Sequence, residues 1–449
     1  VTALPPLSAA AVAEAVEIFK TLLRFPTVNP PGGEKPAIDW IAELLRREGI
    51  EPVVLESAPG RANLVARLKG GAEPALILTG HVDVVPVERD KWTTDPFGAE
   101  ERDGWIYGRG AVDMKHHVAM SIAVFLAAHR AKLRLARDLV LVVVADEEAG
   151  CNYGMKWLVE EHGDLLQAGW GLNEFGGFNI HLPGGREAYL VQIAERGYCW
   201  FKLRATGLPG HGSLPPIDSA VARIARAIDR LDRQRLPWHM TEPARRYLSE
   251  LARVMGPAGI VPRLLMNRHT EPLAMRLFPD PEQANSISAA LHNTAVPTVL
   301  RGGEKTNLLP GTVEVEVDGR FLPGVTEAQF LAEVRAHVGD DLEIEVMSSA
   351  PPSATDPDTP FYRHIAGVLG AASGKPVIPW MLTGFSDTKW LAQLGVQVYG
   401  CTPLKLPPGV AFQRLPHGHD ERLPRAGYEW GVEVMWQIVG RFAVGGDAS

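Results

Sequence analysis

The sequence predicts an α/β protein, a central mixed sheet flanked by helices, interrupted by a smaller inserted α+β domain. Three observations carry this. Apolar strands alternate with helical stretches through the first part of the chain and again near its end, the pattern of a sheet covered by helices. Between them lies a stretch ordered β-α-β-β-α-β, the ferredoxin-like arrangement. At 449 residues the chain is also long for one core, so two domains are expected. The boundaries fall at 1–191 and 351–449 for the two parts of the larger domain and at 192–350 for the insert.

Each element can be read from its pattern. Ser8 to Arg24 has Val12, Ala15, Val16, Phe19, Leu22 and Leu23 at helical spacing, and the turn NPPGGE stops it. A second helix, Lys35 to Arg47, ends before Gly49; EPVVLES and ANLVARLKG then read as strands. Ala75 to Leu78 and the run DLVLVVVA are apolar enough for fully buried strands, and GWGLN is a weaker one. Met114 to His129 reads as an amphipathic helix, with Asp113 placed as an N-cap and His116 and His117 as solvated or site residues in its first turn.

In the insert, YCWFKLRATG is a strand, Ser219 to Leu231 a helix, and residues 235 to 290 are helical in pieces. VPTVLRGG and TVEVEVDGRFLP are strands, the second alternating through Val313, Val315 and Val317. A helix from Thr326 to Val338 and the strand LEIEVMSS complete the set, and SAPPSATDPDTP leads back. VIPWMLTG, VQVYGC and a last helix near Trp430 to Phe442 resume the α/β pattern.

Composition narrows the function. With 46% hydrophobic and 22% charged residues the chain is an ordinary globular one. A net charge of −8 and no basic cluster argue against nucleic acid as a partner. No apolar stretch is long enough to span a bilayer, and the first residues lack a basic segment followed by an apolar core, so no membrane partner is expected. The three cysteines, Cys151, Cys199 and Cys401, are far apart and form no zinc or disulfide pattern, which suits a reducing cytoplasm.

The chemistry lies at strand ends. LILTGHVDVVP ends a buried strand in His81 and Asp83, alternate residues that share one side of an extended chain. A lone histidine there would read as a satisfied core residue. The next apolar strand, however, ends in Asp146, Glu147 and Glu148, and the weaker one ends in Glu174. Acids gathered at buried strand ends are costly unless a cation compensates them. The carboxyl ends of strands are also where open α/β sheets bind ligands.

Taken in order, GHVDVVP, GRGAVDMK, DEEAG, LNEFGG, GHGS, NLLPG, DGR and HGHDE resemble the zinc aminoacylase and carboxypeptidase family. That family includes aminoacylase, acetylornithine deacetylase, succinyl-diaminopimelate desuccinylase, glutamate carboxypeptidase and carboxypeptidase S. The resemblance covers nearly the whole chain and implies a zinc-exopeptidase-like catalytic domain with an inserted lid and dimerisation domain. It implies two metal ions, zinc with cobalt or manganese as alternatives. His81, Asp113 and Glu174 would hold one, and Asp113, Glu148 and His417 the other, so the resemblance displaces the N-cap reading of Asp113. It also implies a cis peptide at Asp113–Met114. His419 is the alternative to His417, but the pattern H-x-x-D-E favours His417.

The same resemblance makes Glu147 the general acid/base, and adjacent residues of a strand would point it away from Glu148. Asp83 would accept the second ring N–H of His81 and fix its tautomer. Arg320 in DGR would clamp a substrate carboxylate, Asn307 in NLLPG would hydrogen-bond the substrate, and Gly384 in TGFSD would line the pocket. His211 in GHGS would stabilise the oxyanion, reaching in from the partner subunit of a homodimer. One departure is His116-His117, where the family commonly has small residues.

The expected activity is cleavage of an amide bond beside a free α-carboxylate, as a carboxypeptidase, dipeptidase or N-acyl-amino-acid deacylase. The substrate would be a small molecule or short peptide. Two alternatives stand beside it: a small-metabolite deacylase of the acetylornithine or succinyl-diaminopimelate type, and a catalytically silent metal- or peptide-binding protein on the same scaffold. There is no G-x-S-x-G elbow, H-E-x-x-H helix or P-loop.

Overall fold

A computed structural model describes residues 4–214, 216–278, 281–410 and 412–445. The chain forms two compact units. One comprises the residues up to Ile193, Thr355–Trp380 and those from Ser386 on; the other comprises Ala194–Ala354 with Met381–Phe385.

The first unit is built on a mixed sheet. Its strands lie in the order Val53–Ala58, Arg61–Leu68, Arg137–Val144, Glu73–His81, Trp170–Asn173, Gln397–Gly400, Arg186–Glu195. The four in the middle are mutually parallel: Glu73–His81 pairs with both Arg137–Val144 and Trp170–Asn173, and Gln397–Gly400 pairs with Trp170–Asn173. Register aligns their ends, with His81 beside Val144 and Gly400 beside Asn173. Parallel strands share a carboxyl edge, so the residues just beyond each of them are delivered to the same place.

These strands are near-continuous apolar runs because both faces are covered. Leu76, Ile77 and Leu78 are fully buried, as are Val142, Val143 and Val144. The helix Lys115–Arg130 packs against the helices Ala9–Leu23 and Arg425–Ala443 and against the sheet. Lys115 through Leu126 are all buried, so this helix is covered on every side rather than amphipathic. His116 and His117 are therefore core residues, not solvated ones. Asp113 is not its N-cap: Met114 occupies that position, and no side chain caps the helix.

The second unit has a four-stranded antiparallel sheet in the order Thr294–Arg301, Thr312–Phe321, Gly197–Thr206, Glu343–Ala350. With the helices Ala220–Arg233 and Glu327–Val338 this is the ferredoxin-like arrangement expected from the sequence. Strict alternation along Thr312–Phe321 sends Val313, Val315 and Val317 into a core with Phe201, Leu203, Ile224, Phe330 and Val334. A capping box, Thr326 with Gln329, starts the second helix. Three short helices, Glu242–Met255, Ile260–Leu265 and Glu271–Met275, form a satellite core around Leu248, Leu265, Ala274 and Leu291. No helix among the described residues is long and apolar enough to cross a membrane.

Candidate active site

The shared carboxyl edge of the parallel strands gathers the acids and imidazoles. His81 ends its strand, Asp146 to Glu148 come just after the strand Arg137–Val144, and Glu174 comes just after Trp170–Asn173. Asp113 arrives from the loop before the buried helix, and His417 from the loop before Arg425–Ala443. The Asp113–Met114 peptide is cis.

Two donor sets result. His81, Asp113 and Glu174 bring one ligand atom each to within 4.8 Å of one another, and so do Asp113, Glu148 and His417. Asp113 divides its carboxylate between them: Oδ1 lies 3.3 Å from His81 Nε2, and Oδ2 lies 3.1 Å from His417 Nε2. Glu174 Oε2 is 3.7 Å from His81 Nε2, and Glu148 Oε2 is 3.2 Å from His417 Nε2. His419 instead pairs with Glu88 at 2.9 Å, so of the two histidines only His417 faces the acids.

The chemistry of this donor set fits divalent metal ions. His81 Nε2, Asp113 Oδ1 and both Glu174 oxygens are buried without a hydrogen-bond partner among the described residues. Uncompensated polar atoms are costly in a protein interior. Imidazole and carboxylate oxygen are the ligand types zinc takes at open catalytic sites.

The electrostatics agree. Burial raises Glu174 and Glu147 well above the ordinary carboxylate range, and Glu148 is pushed up to about 7, with neighbouring carboxylates adding to the effect. Burial would lower His417, but the carboxylates of Asp113 and Glu148 outweigh it and push the imidazole up to about 11. Asp113 moves the other way: its two histidines hold it far below the usual range despite its burial. Raised carboxyls beside a raised imidazole mark a cluster in which added positive charge is favoured.

Glu147 is buried, with Oε2 3.8 Å from His81 Nε2. It separates from Glu148 by a different route from the one expected. The strand ends at Val144, and Glu147–Ala149 is a 3-10 turn. It is entered from Asp146 in a left-handed conformation, φ 65°. Asp83 stands beside the His81 ring, as expected. His81 Nδ1 lies 3.1 Å from the Asp83 backbone carbonyl and 3.3 Å from its Oδ1. The carboxylate also accepts from the backbone N–H groups of Glu147 and Glu148, both at 3.1 Å.

The remaining expected site residues lie in the second unit. His211 is exposed on a two-residue ribbon, Gly210–His211 paired with Leu308–Leu309. The N–H of Gly212 donates to the Asn307 carbonyl at 2.9 Å, so His211 and Asn307 are brought together. The backbone N–H of Ser213 donates to His211 Nδ1 at 3.2 Å. Arg320 holds Asp318 bidentately at 2.7 and 3.0 Å and lies over the Phe385 ring, 4.9 Å from its centroid; Gly384 immediately precedes that phenylalanine.

Several residues to which the sequence pattern assigns no role support the centre. Glu421 accepts from the backbone N–H groups of Gly110, Val112 and Asp113 and from Arg109 Nη1. Arg109 Nη2 reaches the carbonyl of His417 at 3.2 Å. Asn29, Arg61 and Glu34 lie behind Asp83 and Asp146. Asp387, which the resemblance places with Gly384 in the TGFSD loop as a pocket wall, is buried, and burial pushes it up to about 6. The HGHDE motif could have exposed Glu421, and the turn NPPGGE could have exposed Asn29. His117 Nδ1 bonds Thr402 Oγ1 at 2.7 Å, whereas neither ring nitrogen of His116 has a partner among the described residues. Burial pushes both rings down to about 3, so they are neutral.

The chain is similar to known proteins. Pig (Sus scrofa) aminoacylase-1 is 27% identical over 446 residues, covering 96% of this chain and 95% of its own length. An M20 family metallo-carboxypeptidase from Sulfolobus solfataricus superposes with a TM-score of 0.71 at 18% identity, covering 95% of this chain and 98% of that one. Human carnosine dipeptidase 1 superposes with a TM-score of 0.69 at 16% identity, covering 97% and 98%. The sequence pattern of peptidase family M20/M25/M40 matches residues 77–441. This span contains both donor sets and most of the chain, and the chain therefore belongs to that family.

Proposed function

We propose that this metal-dependent hydrolase cleaves an amide bond next to a free α-carboxylate, in an N-acyl amino acid or a short peptide. One observation carries the reading: the two Asp113 oxygens are divided between two histidine–carboxylate donor sets. His81, Asp113 and Glu174 would hold one divalent cation and Asp113, Glu148 and His417 the other. We assign zinc, with cobalt and manganese as substitutes. Such a pair supplies Lewis acidity, lowering the pKa of a water molecule and polarising the scissile carbonyl.

The chain's own groups do the rest. Glu147 takes a proton from the attacking water as its oxygen bonds to the carbonyl carbon. It then delivers that proton to the nitrogen as the C–N bond breaks. Burial raises its pKa above the ordinary carboxylate range, the direction that lets a carboxylate hold a proton between the two steps. Ser213 holds the Nδ1 edge of His211 through its N–H at 3.2 Å and its hydroxyl at 2.7 Å; with Nδ1 as the acceptor, Nε2 carries the ring proton and can donate it to the oxyanion. Arg320 has one guanidinium edge on Asp318 and offers the other to the substrate carboxylate. Asn307 and Gly384 would contact the substrate beside these two.

The active form we assign is a homodimer, with His211 supplied across subunits. In its loop Leu208, Leu214 and Ile217 are 91%, 72% and 100% exposed, an apolar surface that a second copy would cover. The three buried free cysteines suit a reducing compartment, and we place the enzyme in the cytoplasm.

The deciding experiment is hydrolysis of a panel of N-acetyl amino acids, dipeptides and their carboxamides by protein loaded with zinc, cobalt or manganese. Turnover confined to substrates with the free carboxylate is expected. Equal turnover of the carboxamides, or none of any compound with metal bound, would remove the reading. The similarity to aminoacylase-1 along nearly the whole chain places N-acyl amino acids first in the panel.

A further inference from the structure

The turn Asp146–Glu147–Glu148 has to send two neighbouring carboxylates in different directions, and only a three-residue 3-10 turn shapes it. It is held from beneath by two other acids. Asp83 Oδ1 and Oδ2 accept from the N–H groups of Glu147 and Glu148, both at 3.1 Å. Asp146 Oδ2 accepts from Tyr153 N–H at 3.0 Å, and its carbonyl accepts from Cys151 N–H at 2.6 Å. Asp83 and Asp146 are 0% and 2% exposed, so their like charges would repel in a poorly screened interior unless a donor served both.

Asn29 is that donor. Its Nδ2 lies 2.9 Å from Asp83 Oδ2 and 2.9 Å from Asp146 Oδ1. Both protons of one amide nitrogen are thus spent on two carboxylates, and the span between these acids is set by one rigid group. Asn29 is itself buried, and its backbone N–H is fixed to the Val84 carbonyl at 2.9 Å. Arg61 closes the network: Nη2 reaches Asp146 Oδ1 at 2.8 Å, while Nε and Nη2 hold Glu34 at 2.7 and 2.9 Å.

We propose that Asn29 is a positioning residue for Glu147: its amide ties Asp83 to Asp146 and so sets the direction in which the turn presents the Glu147 carboxylate. The inference rests on the assignment of Glu147 as general acid/base. Asn29 does not touch substrate; it acts through the two acids that carry the turn. Losing such an outer partner typically lowers activity about 10- to 100-fold.

The test compares Asn29→Ala and Asn29→Asp in zinc-loaded full-length protein. Asn29→Asp keeps the shape but places a third acceptor where a donor stood. The readouts are kcat, KM, zinc content and the double variant with Glu147→Gln. The expected result is a kcat lowered about 10- to 100-fold with KM and zinc content held, and no further loss when Asn29→Ala is added to Glu147→Gln. A merely structural asparagine would lower the folded fraction and leave kcat per folded enzyme intact, and a kcat loss that multiplied in full with that of Glu147→Gln would act independently of Glu147; either result overturns the proposal. Asn29→Ser, with a shorter donor, serves if the alanine variant does not fold, and should recover part of kcat. A crippled Glu147→Gln beside a normal Asn29→Ala removes the positioning role alone. A normal Glu147→Gln removes the general-base assignment and the positioning role with it.

Discussion

Replacing Glu421 by glutamine keeps its shape and removes the charge from a carboxylate that four donors share. Oε1 accepts from Val112 N–H at 2.7 Å and Asp113 N–H at 3.1 Å; Oε2 accepts from Gly110 N–H at 3.1 Å and Arg109 Nη1 at 2.8 Å. A glutamine amide can satisfy only one of these pairs. Whichever way it turns, its NH2 faces two other donors and two bonds are lost. Hydrogen bonds to a buried charge are worth roughly 1.5–3 kcal/mol each, which gives about 3–6 kcal/mol for two. Breaking a buried ion pair by removing one partner independently gives roughly 3–5 kcal/mol. Burial raises the pKa of Glu421 against the pull of Arg109, so part of the charge is already held at a cost and the lower end applies, about 3 kcal/mol. At roughly 2–4 °C per kcal/mol for a large domain, the melting temperature should fall by about 6–12 °C. The effect should reach the metal centre, because the same carboxylate fixes the N–H of Asp113 and, through Arg109, the carbonyl of His417. Metal affinity is expected to fall about 10- to 100-fold. Thermal unfolding in chelator and metal titration read the two effects. An unchanged melting temperature together with unchanged metal affinity would refute the reasoning.

Other perturbations separate the roles assigned to the site residues. Glu147→Gln should keep its metal and lose about 10²- to 10⁴-fold in kcat, read by steady-state kinetics beside elemental analysis; near-normal turnover would take Glu147 out of the reaction. In metal-free protein the Glu148–His417 pair should contribute less stability as pH rises, while the buried His116 and His117, pushed down to about 3, pull the other way below about pH 6.5. Glu148 is raised from 4.5 to about 7 and His417 from 6.5 to about 11, so the folded state keeps protons the unfolded chain releases. Their stabilisation is complete below the unfolded values and is lost from about pH 4.5 upward. Asp113, shifted downward, is ionised throughout that window and does not reverse the sign. Urea titrations in chelator at pH 5 and pH 8, on the protein and on a Glu148→Gln variant, isolate the pair, and metal loading should shrink the difference; a variant with the same pH dependence as the parent would count against the cluster. Arg320→Lys keeps the charge but loses the planar fork, and should raise KM for carboxylate substrates about 10- to 100-fold with kcat largely kept. An unchanged KM would show that the guanidinium does not bind substrate.

The acids at strand ends were legible because buried parallel strands announce themselves as apolar runs, and the residues next after such a run must lie at the sheet's carboxyl edge. His81, Glu148 and Glu174 are all of this kind. The middle unit was legible from a strict period of two, carried by Val313, Val315 and Val317. Asp113 was not legible from its neighbours: an acid before a helix reads as a cap, and only the ordered set of motifs moved it to the metal centre. Glu147 and Glu148 looked like alternating strand residues, whereas a left-handed Asp146 turns the chain before them. His116 and His117 read equally as solvated or as site residues, because burial of a helix on all sides depends on the elements packed around it, not on its own periodicity. The supporting network was hidden for a related reason. Asn29 meets Asp146 across 117 positions and Glu421 meets Val112 across 309, and no local pattern encodes which distant group satisfies a buried carboxylate.

The most direct measurement is anomalous diffraction at the zinc edge from metal-loaded crystals. Two peaks are expected roughly 3.5–4 Å apart, one on each side of Asp113, the first against His81 and Glu174 and the second against Glu148 and His417. Peaks that avoid these five side chains, or protein that hydrolyses its substrate with no metal there, would contradict a two-metal centre bridged by Asp113.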